Sequence, residues 1–264
     1  GVSSAASDVY KRQGISSSFT AEQQKQRRRR IWIVPLGFLV ILFLWAFIGK
    51  HSLSAEDLAR GYSYTLYQFP LLNVVLVPVM TAVIASRLCD MEIKGNTLKL
   101  LCTLQKRSSF YDWKFIHELK YLLIFTVGEG ILVPLIGMFC HFTQKLPLPL
   151  VFLHVGTTTL VSLVLLTLQH FLSLMSSNQI LPLLVGLIGS FLGLFSMFFP
   201  PRAARFILWG YFSAFSPYGM DYDSQTRVMS FYRIPFPTET FVLFMLFGLL
   251  FFVVCRTVFV KKEV

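Results

Sequence analysis

Glu129 stands between Gly128 and Gly130 in the middle of a long apolar run. An isolated charge at the centre of a membrane helix costs about 2.5–3.5 kcal/mol on insertion scales. A carboxylate there must face the interior of a helix bundle and be paired or protonated. Two readings are open for it: a contact for a cation or substrate, or a hydrogen bond to a neighbouring helix that the flanking glycines let approach closely. His154 and His170 lie near opposite ends of the next apolar run, too far apart along one helix to form a local metal pair. They read as interfacial or satisfied core histidines, and His141 carries no signal. Cys89, Cys102, Cys140 and Cys255 show neither a CxxC nor a Cys/His metal spacing, so no metal site is expected. Free thiols are expected at Cys89, Cys102 and Cys255. One mid-run glutamate with scattered histidines does not make the His/Glu/Asp cluster an intramembrane hydrolase needs, and no catalytic residues are assigned.

The second concentration of chemistry is a polar stretch at residues 87–117, RLCDMEIKGNTLKLLCTLQKRSSFYDWKFIH. Asp90 and Glu92 precede Gly95, Asn96 and Thr97, and either Asn96 or Thr97 is placed to cap a helix whose first turn lies near those acids. Leu98, Leu101 and Cys102 would form its apolar stripe, with Lys99, Lys106 and Arg107 elsewhere on the surface. Such a helix can lie on a membrane or fit a groove on a partner protein.

The elements that must position these groups are apolar helices. Of 264 residues 55% are hydrophobic and 14% charged, against roughly 25% charged in a soluble domain. Most of the chain is therefore solvated by lipid. Six apolar runs fall at residues 31–48, 64–86, 119–142, 150–174, 180–199 and 240–260, near the length of about 20 residues a span requires. Pro70 and Pro78 should kink the second. The fold expected is all-α: a polytopic membrane protein with six transmembrane helices and both termini cytoplasmic. The basic cluster at residues 27–30, then Arg87, Lys94, Lys99, Lys106, Arg107, Lys114, Lys120, Lys261 and Lys262, marks the inside by the positive-inside rule. The net charge of +11 is explained by this placement and by anionic lipid, so no nucleic-acid partner is expected.

The order of elements in the polar stretch carries a resemblance. Glu92, then Gly95, Asn96 and Thr97, then Leu100 and Leu101, then Ser108 and Ser109, then the basic Lys114, resembles the cytoplasmic segment of ABC-2-type transporter permeases. The wording DMEIKGNTLKLL is most similar to permeases of the lantibiotic-immunity and bacitracin-type export group, and the layout extends the resemblance over residues 31–260 as one permease domain. Gln105 and Lys106 stand where many such proteins have a proline, a departure that bears on the subfamily. The resemblance implies a permease subunit of an exporter, in a bacterial cytoplasmic membrane, beside a second permease copy or a related permease. It also implies that Asp90, Glu92, Gly95, Asn96, Thr97, Leu100, Leu101 and Lys114 couple to a separate ABC ATPase. The sequence contains no GxxxxGK[ST] phosphate loop. ATP and Mg would be bound by the partner, with no cofactor on this chain. The cargo expected is an amphipathic antimicrobial peptide drawn from membrane lipid. Export of another antibiotic or a lipid, and a membrane sensor or scaffold without transport, are the alternatives.

The connection at residues 200–239 is too long for a simple turn. Its stretch 206–212 is apolar but too short to span, and reads as a re-entrant or interfacial segment. Trp209, Tyr211 and Tyr218 are candidate outer-face substrate contacts; the alternative is an aromatic belt. Residues 3–13, SSAASDVYKRQ, read as the translation of a sequencing adaptor, so residues 1–13 are set aside from functional reasoning. Residues 14–30 read as a basic cytoplasmic lead-in, and 261–264 as a cytoplasmic tail.

Overall fold

Lipid offers the backbone no hydrogen-bond partners, so apolar runs of this length satisfy themselves as helices. The computed structural model describes residues 20, 22–26, 29–48, 54–95, 97–225 and 228–262. The adaptor-like segment, most of the lead-in and Asn96 lie outside the described residues. The helices are α1 (Ile33–Phe47), α2 (Ala55–Ala59), α3 (Gly61–Lys94), α4 (Leu98–Leu104), α5 (Arg107–Phe139), α6 (Leu148–Met175), α7 (Ile180–Phe195), α8 (Pro201–Ala204), α9 (Tyr211–Ala214) and α10 (Thr238–Lys261). Helices α3, α5, α6, α10, and α7 with its 3-10 extension to Phe198, are long and apolar enough to cross a membrane. The chain is thus an all-α polytopic membrane protein. α1 has 15 residues. Its length of about 22 Å falls short of the ~30 Å hydrocarbon layer. It cannot continue back through Arg30, which takes a positive φ of 48°.

α3 is the central post. It packs against α1, α5, α6 and α7, while α10 rests on α6 and α5 at the periphery. Leu66, Phe69, Val74, Val77, Met80 and Ile84 of α3 are fully buried in the core. Pro70 and Pro78 lie inside this helix. Just before Pro78, Ser190 of α7 donates to the Val75 carbonyl at 3.0 Å, and Thr81 donates to the carbonyls of Val77 and Pro78. A loop side chain closes the start of α3: Gln144 Oε1 accepts from the backbone N–H groups of Tyr62 and Ser63 at 2.8 and 3.1 Å. Those are orphan donors of the first helical turn.

The polar stretch 87–117 is not a separate body. α3 runs through Arg87 to Lys94 and α5 begins at Arg107, so only residues 95–106 depart from the two long helices. A helix already nucleated in the apolar run propagates cheaply through charged residues, and Asp90 and Lys94 pair across one turn at 2.8 Å. Thr97 does not cap α4 with its side chain. Its N–H and hydroxyl turn back instead to the Glu92 carbonyl at 3.0 and 3.5 Å, satisfying the end of α3.

The connection between α7 and α10 holds the one β element among the described residues, an antiparallel hairpin of β1 (Tyr218–Asp223) and β2 (Val228–Arg233). Tyr218 pairs with Arg233 and Asp223 with Val228. The Phe231 ring sits 5.6 Å from each of Tyr64 and Tyr67 on α3, which fastens the hairpin to the bundle. The bundle therefore has a connection end, marked by residues 95–106, and a hairpin end.

Candidate functional site

At the connection end, the ends of α3 and α5 carry charges that pack inward. Lys114 Nζ lies 2.7 Å from Glu92 Oε2 and donates to the Leu88 carbonyl at 2.9 Å. Both side chains are buried, at 1% and 2% exposure. The helical turn at residues 22–26 completes the cluster. Lys25 lies 2.9 Å from Glu22 and 3.3 Å from Glu92, and Glu22 lies 3.6 Å from Lys114. Two acids and two lysines thus interlock. Burial opposes the charge on Glu22, but Lys114 and Lys25 outweigh it and hold its carboxyl below the usual value. Lys120 and Tyr121 of α5 add contacts to Gln23 and Gln26 from the same turn.

This geometry shows how the residues expected to couple to the ATPase are packed within the chain. Glu92 and Lys114 face each other, because a buried ion pair is tolerable only when both charges stay together. Asp90 is half-buried beside Lys94, Gly95 closes α3, and Thr97 is spent on the Glu92 carbonyl. What projects is α4. Leu100 is 58% exposed, whereas Leu101 packs on the small core of Cys89, Phe110, Tyr111, Leu174 and Phe259. The end of α10 is tied in here as well: Arg256 makes a bidentate pair with Asp112 at 2.6 and 2.7 Å, Arg107 donates to the Lys262 carbonyl, and Lys262 Nζ reaches the Met175 carbonyl.

Deeper in the bundle, Glu129 has found two partners. Its Oε1 accepts from Asn73 Nδ2 of α3 at 2.8 Å and lies 3.0 Å from His154 Nε2 of α6, all three side chains being buried. His170 repeats the pattern lower on the same helix pair, with Nδ1 2.9 Å from Glu118 Oε1. Sequence reasoning did not join these residues, since each partner lies on a different helix. A helical phase does carry a signal: Glu118 and Glu129 fall three turns apart on one face of α5.

At the hairpin end, Trp209 lies against the glycines of α7. A Cβ on Gly189 would stand 2.0 Å from its indole ring, and one on Gly193 2.7 Å from its Cβ. The Tyr211 hydroxyl donates to the Arg205 carbonyl at 2.8 Å and its ring packs on Phe244, centroids 4.3 Å apart. Tyr218 is half-buried against the core. All three hold the outer segment down. Side chains that face outward include Phe206, 87% exposed, and the cross-strand partners Tyr222 and Met229, each about half exposed.

A family model described as ABC-2 family transporter protein matches residues 18–193, more than half of the chain. The chain belongs to the ABC-2 transporter family. No curated protein matches it. An ABC-2 permease is a membrane transport subunit, not an enzyme, and the family implies association with an ABC ATPase. In this ABC-2 permease the matched region takes in α1 to α6 and most of α7, and so includes the ion cluster, the 95–106 connection and both Glu–His pairs.

Proposed function

We propose that this ABC-2 permease is the membrane subunit of an exporter in a bacterial cytoplasmic membrane that removes amphipathic peptides of the lantibiotic type, and that α4 docks a separate ATPase. The observation that carries the docking is Leu100, an exposed apolar side chain on a short helix whose root is locked by the buried Glu92–Lys114 pair. A rigid root lets a push on α4 tilt α3 and α5 together. Orientation follows from charge. Residues 22–26, the end of α3, the start of α5 and the end of α10 meet at the connection end. That end carries Arg29, Arg30, Arg87, Lys94, Lys106, Arg107, Lys261 and Lys262, which by the positive-inside rule supports a cytoplasmic position for it. ATP and Mg belong to the partner. A second permease bundle, from another copy or a related chain, would complete the complex.

Peptide cargo would meet the hairpin end, where Phe206, Tyr222 and Met229 offer apolar and aromatic surface at the level where amphiphiles lie. A lipid cargo is the second reading. It is favoured by an apolar cavity of about 250 Å³ between α5, α6 and α10, lined by Phe115, Leu160, Val164, Met245, Gly248 and Phe252 among others.

The test is co-purification of the tagged permease with its genomically adjacent ATPase, followed by ATPase assay with lantibiotic peptide or with lipid. Leu100→Asp should leave the permease monodisperse and lose the ATPase. Leu101→Asp should instead disrupt the small core. Retention of the ATPase by Leu100→Asp would remove α4 from the interface. Stimulation by lipid alone would replace the peptide as cargo.

A further inference from the structure

Cys89 of α3, Glu118 of α5 and His170 of α6 bring a thiol, a carboxylate and an imidazole to one buried point. The Cys89 Sγ to Glu118 Oε1 distance is 3.7 Å, His170 Nδ1 to Glu118 Oε1 is 2.9 Å, and the three donor atoms all lie within 4.8 Å of one another. None of the three side chains is exposed. The geometry points to a divalent transition-metal site, zinc by its donor set, held by Cys89, Glu118 and His170.

Bonds of about 2.0–2.3 Å to sulfur, nitrogen and oxygen at tetrahedral angles place donor atoms about 3.3–3.5 Å apart. The two separations to Glu118 Oε1 need only a few tenths of an ångström of adjustment, and the sulfur and imidazole, within 4.8 Å of each other, close toward the ion as it binds. Charge is balanced as well. A thiolate, a carboxylate and a neutral imidazole sum to minus two, which a divalent ion cancels in surroundings where net charge is expensive. Binding releases the thiol proton as the sulfur–metal bond forms. The nearby Lys114 does not oppose the ion, since Glu92 and Glu22 already neutralise it. The second oxygen of Glu118 is buried with no hydrogen-bond partner, which leaves the carboxylate with unused ligand capacity at the site. His170 is held by the Tyr111 ring packed edge-on at 4.4 Å and by Phe115 at 5.5 Å. Three protein ligands leave a fourth position for water or another donor. Each ligand is on a different helix, so the ion cross-links α3, α5 and α6 close to the root of α4.

The site is tested on the full chain purified in detergent and freed of adventitious metal. Cobalt is added as a spectroscopic stand-in for zinc. Stoichiometric cobalt should give visible d–d absorption with a near-ultraviolet thiolate-to-metal band, and zinc should displace both. Cys89→Ser should abolish the thiolate band, while Cys102→Ser and Cys255→Ser keep it. Glu118→Gln should weaken binding by about tenfold or more. A wild-type chain without the band, or a band that survives Cys89→Ser, overturns the proposal and leaves Glu118 and His170 as a plain hydrogen-bonded pair. Should Cys89→Ser aggregate, X-ray absorption on the zinc-loaded wild type decides: a first shell with one sulfur supports the site, and a shell of nitrogen and oxygen alone overturns it.

Discussion

Lys114 on α5 and Glu92 on α3 lie 2.7 Å apart with neither reachable by solvent, and the Leu88 carbonyl takes a second lysine proton. Without Lys114, Glu92 loses its nearest countercharge and shares the partly exposed Lys25 with Glu22, so the buried cluster is left with one acid too many. Lys114→Met should therefore cost about 3–5 kcal/mol, and the double variant Lys114→Met with Glu92→Leu should recover a large part of that loss. Thermal unfolding of the detergent-solubilised chain measures both. A double variant whose loss equals the sum of the two single-variant losses would mean that the two charges are not coupled.

The turn at residues 22–26 depends on the same cluster, and its pH dependence has a defined sign. Burial works against the Glu22 carboxylate, yet Lys114 and Lys25 prevail and its folded pKa lies below the ordinary 4.5. A depressed acid stabilises the folded form fully above its unfolded pKa and stops doing so as pH falls through the folded value. Hydrogen exchange of residues 22–26, corrected for intrinsic rates, should stay slow from neutrality to about pH 5 and speed up only in stronger acid. Loss of protection between pH 8 and pH 6 would point to a histidine as the controlling group.

The cluster also shows where sequence reasoning stops. The apolar runs announced their helices because length and hydropathy leave lipid-buried backbone no other option. The short helix after Thr97 and a buried, hydrogen-bonded Glu129 were legible for similar reasons. The pairing of Glu92 with Lys114 carries no mark in the sequence, because charges at the rim of an apolar run ordinarily meet water. Only the packing of α3 on α5 turns them inward, and that packing is a long-range fact. Likewise the meeting of Cys89, Glu118 and His170 has no motif spacing, since three helices supply one side chain each. The hairpin is a different case. Aromatic and β-branched residues on either side of Asp223, Ser224 and Gln225 are a usable strand–turn–strand signal.

Glu129 gathers Asn73 and His154 through one oxygen, while its second oxygen and Asn73 Oδ1 have no hydrogen-bond partner. A hub of this kind needs an acceptor, not a charge. Glu129→Gln should keep both hydrogen bonds, the fold and transport. Glu129→Leu should strand two buried polar groups at about 1–3 kcal/mol each. Expression, monodispersity and export in the two variants separate the possibilities. A Gln variant that folds normally but fails to export would assign the charge itself to cargo or cation handling.

Trp209 fills a gap that only glycine leaves. A Cβ on Gly189 would stand 2.0 Å from the indole, closer than any relaxed contact, and Gly193 is similarly crowded. The ring cannot retreat without lifting the 3-10 turn Leu208–Gly210, because Gly210 in turn lies against Ser196. Gly189→Ala should therefore loosen the outer segment while leaving the transmembrane helices intact. Arg202 and Arg205, which flank it and are exposed, report the change: trypsin should cut there faster in Gly189→Ala than in the wild type. Adding Trp209→Ala removes the clash but also the anchor. If the ring holds the segment down, the double variant should be cut as fast as the single one. A double variant as resistant as the wild type would mean that Tyr211 on Phe244 and the hairpin on α3 suffice to hold the segment, with Trp209 merely filling space.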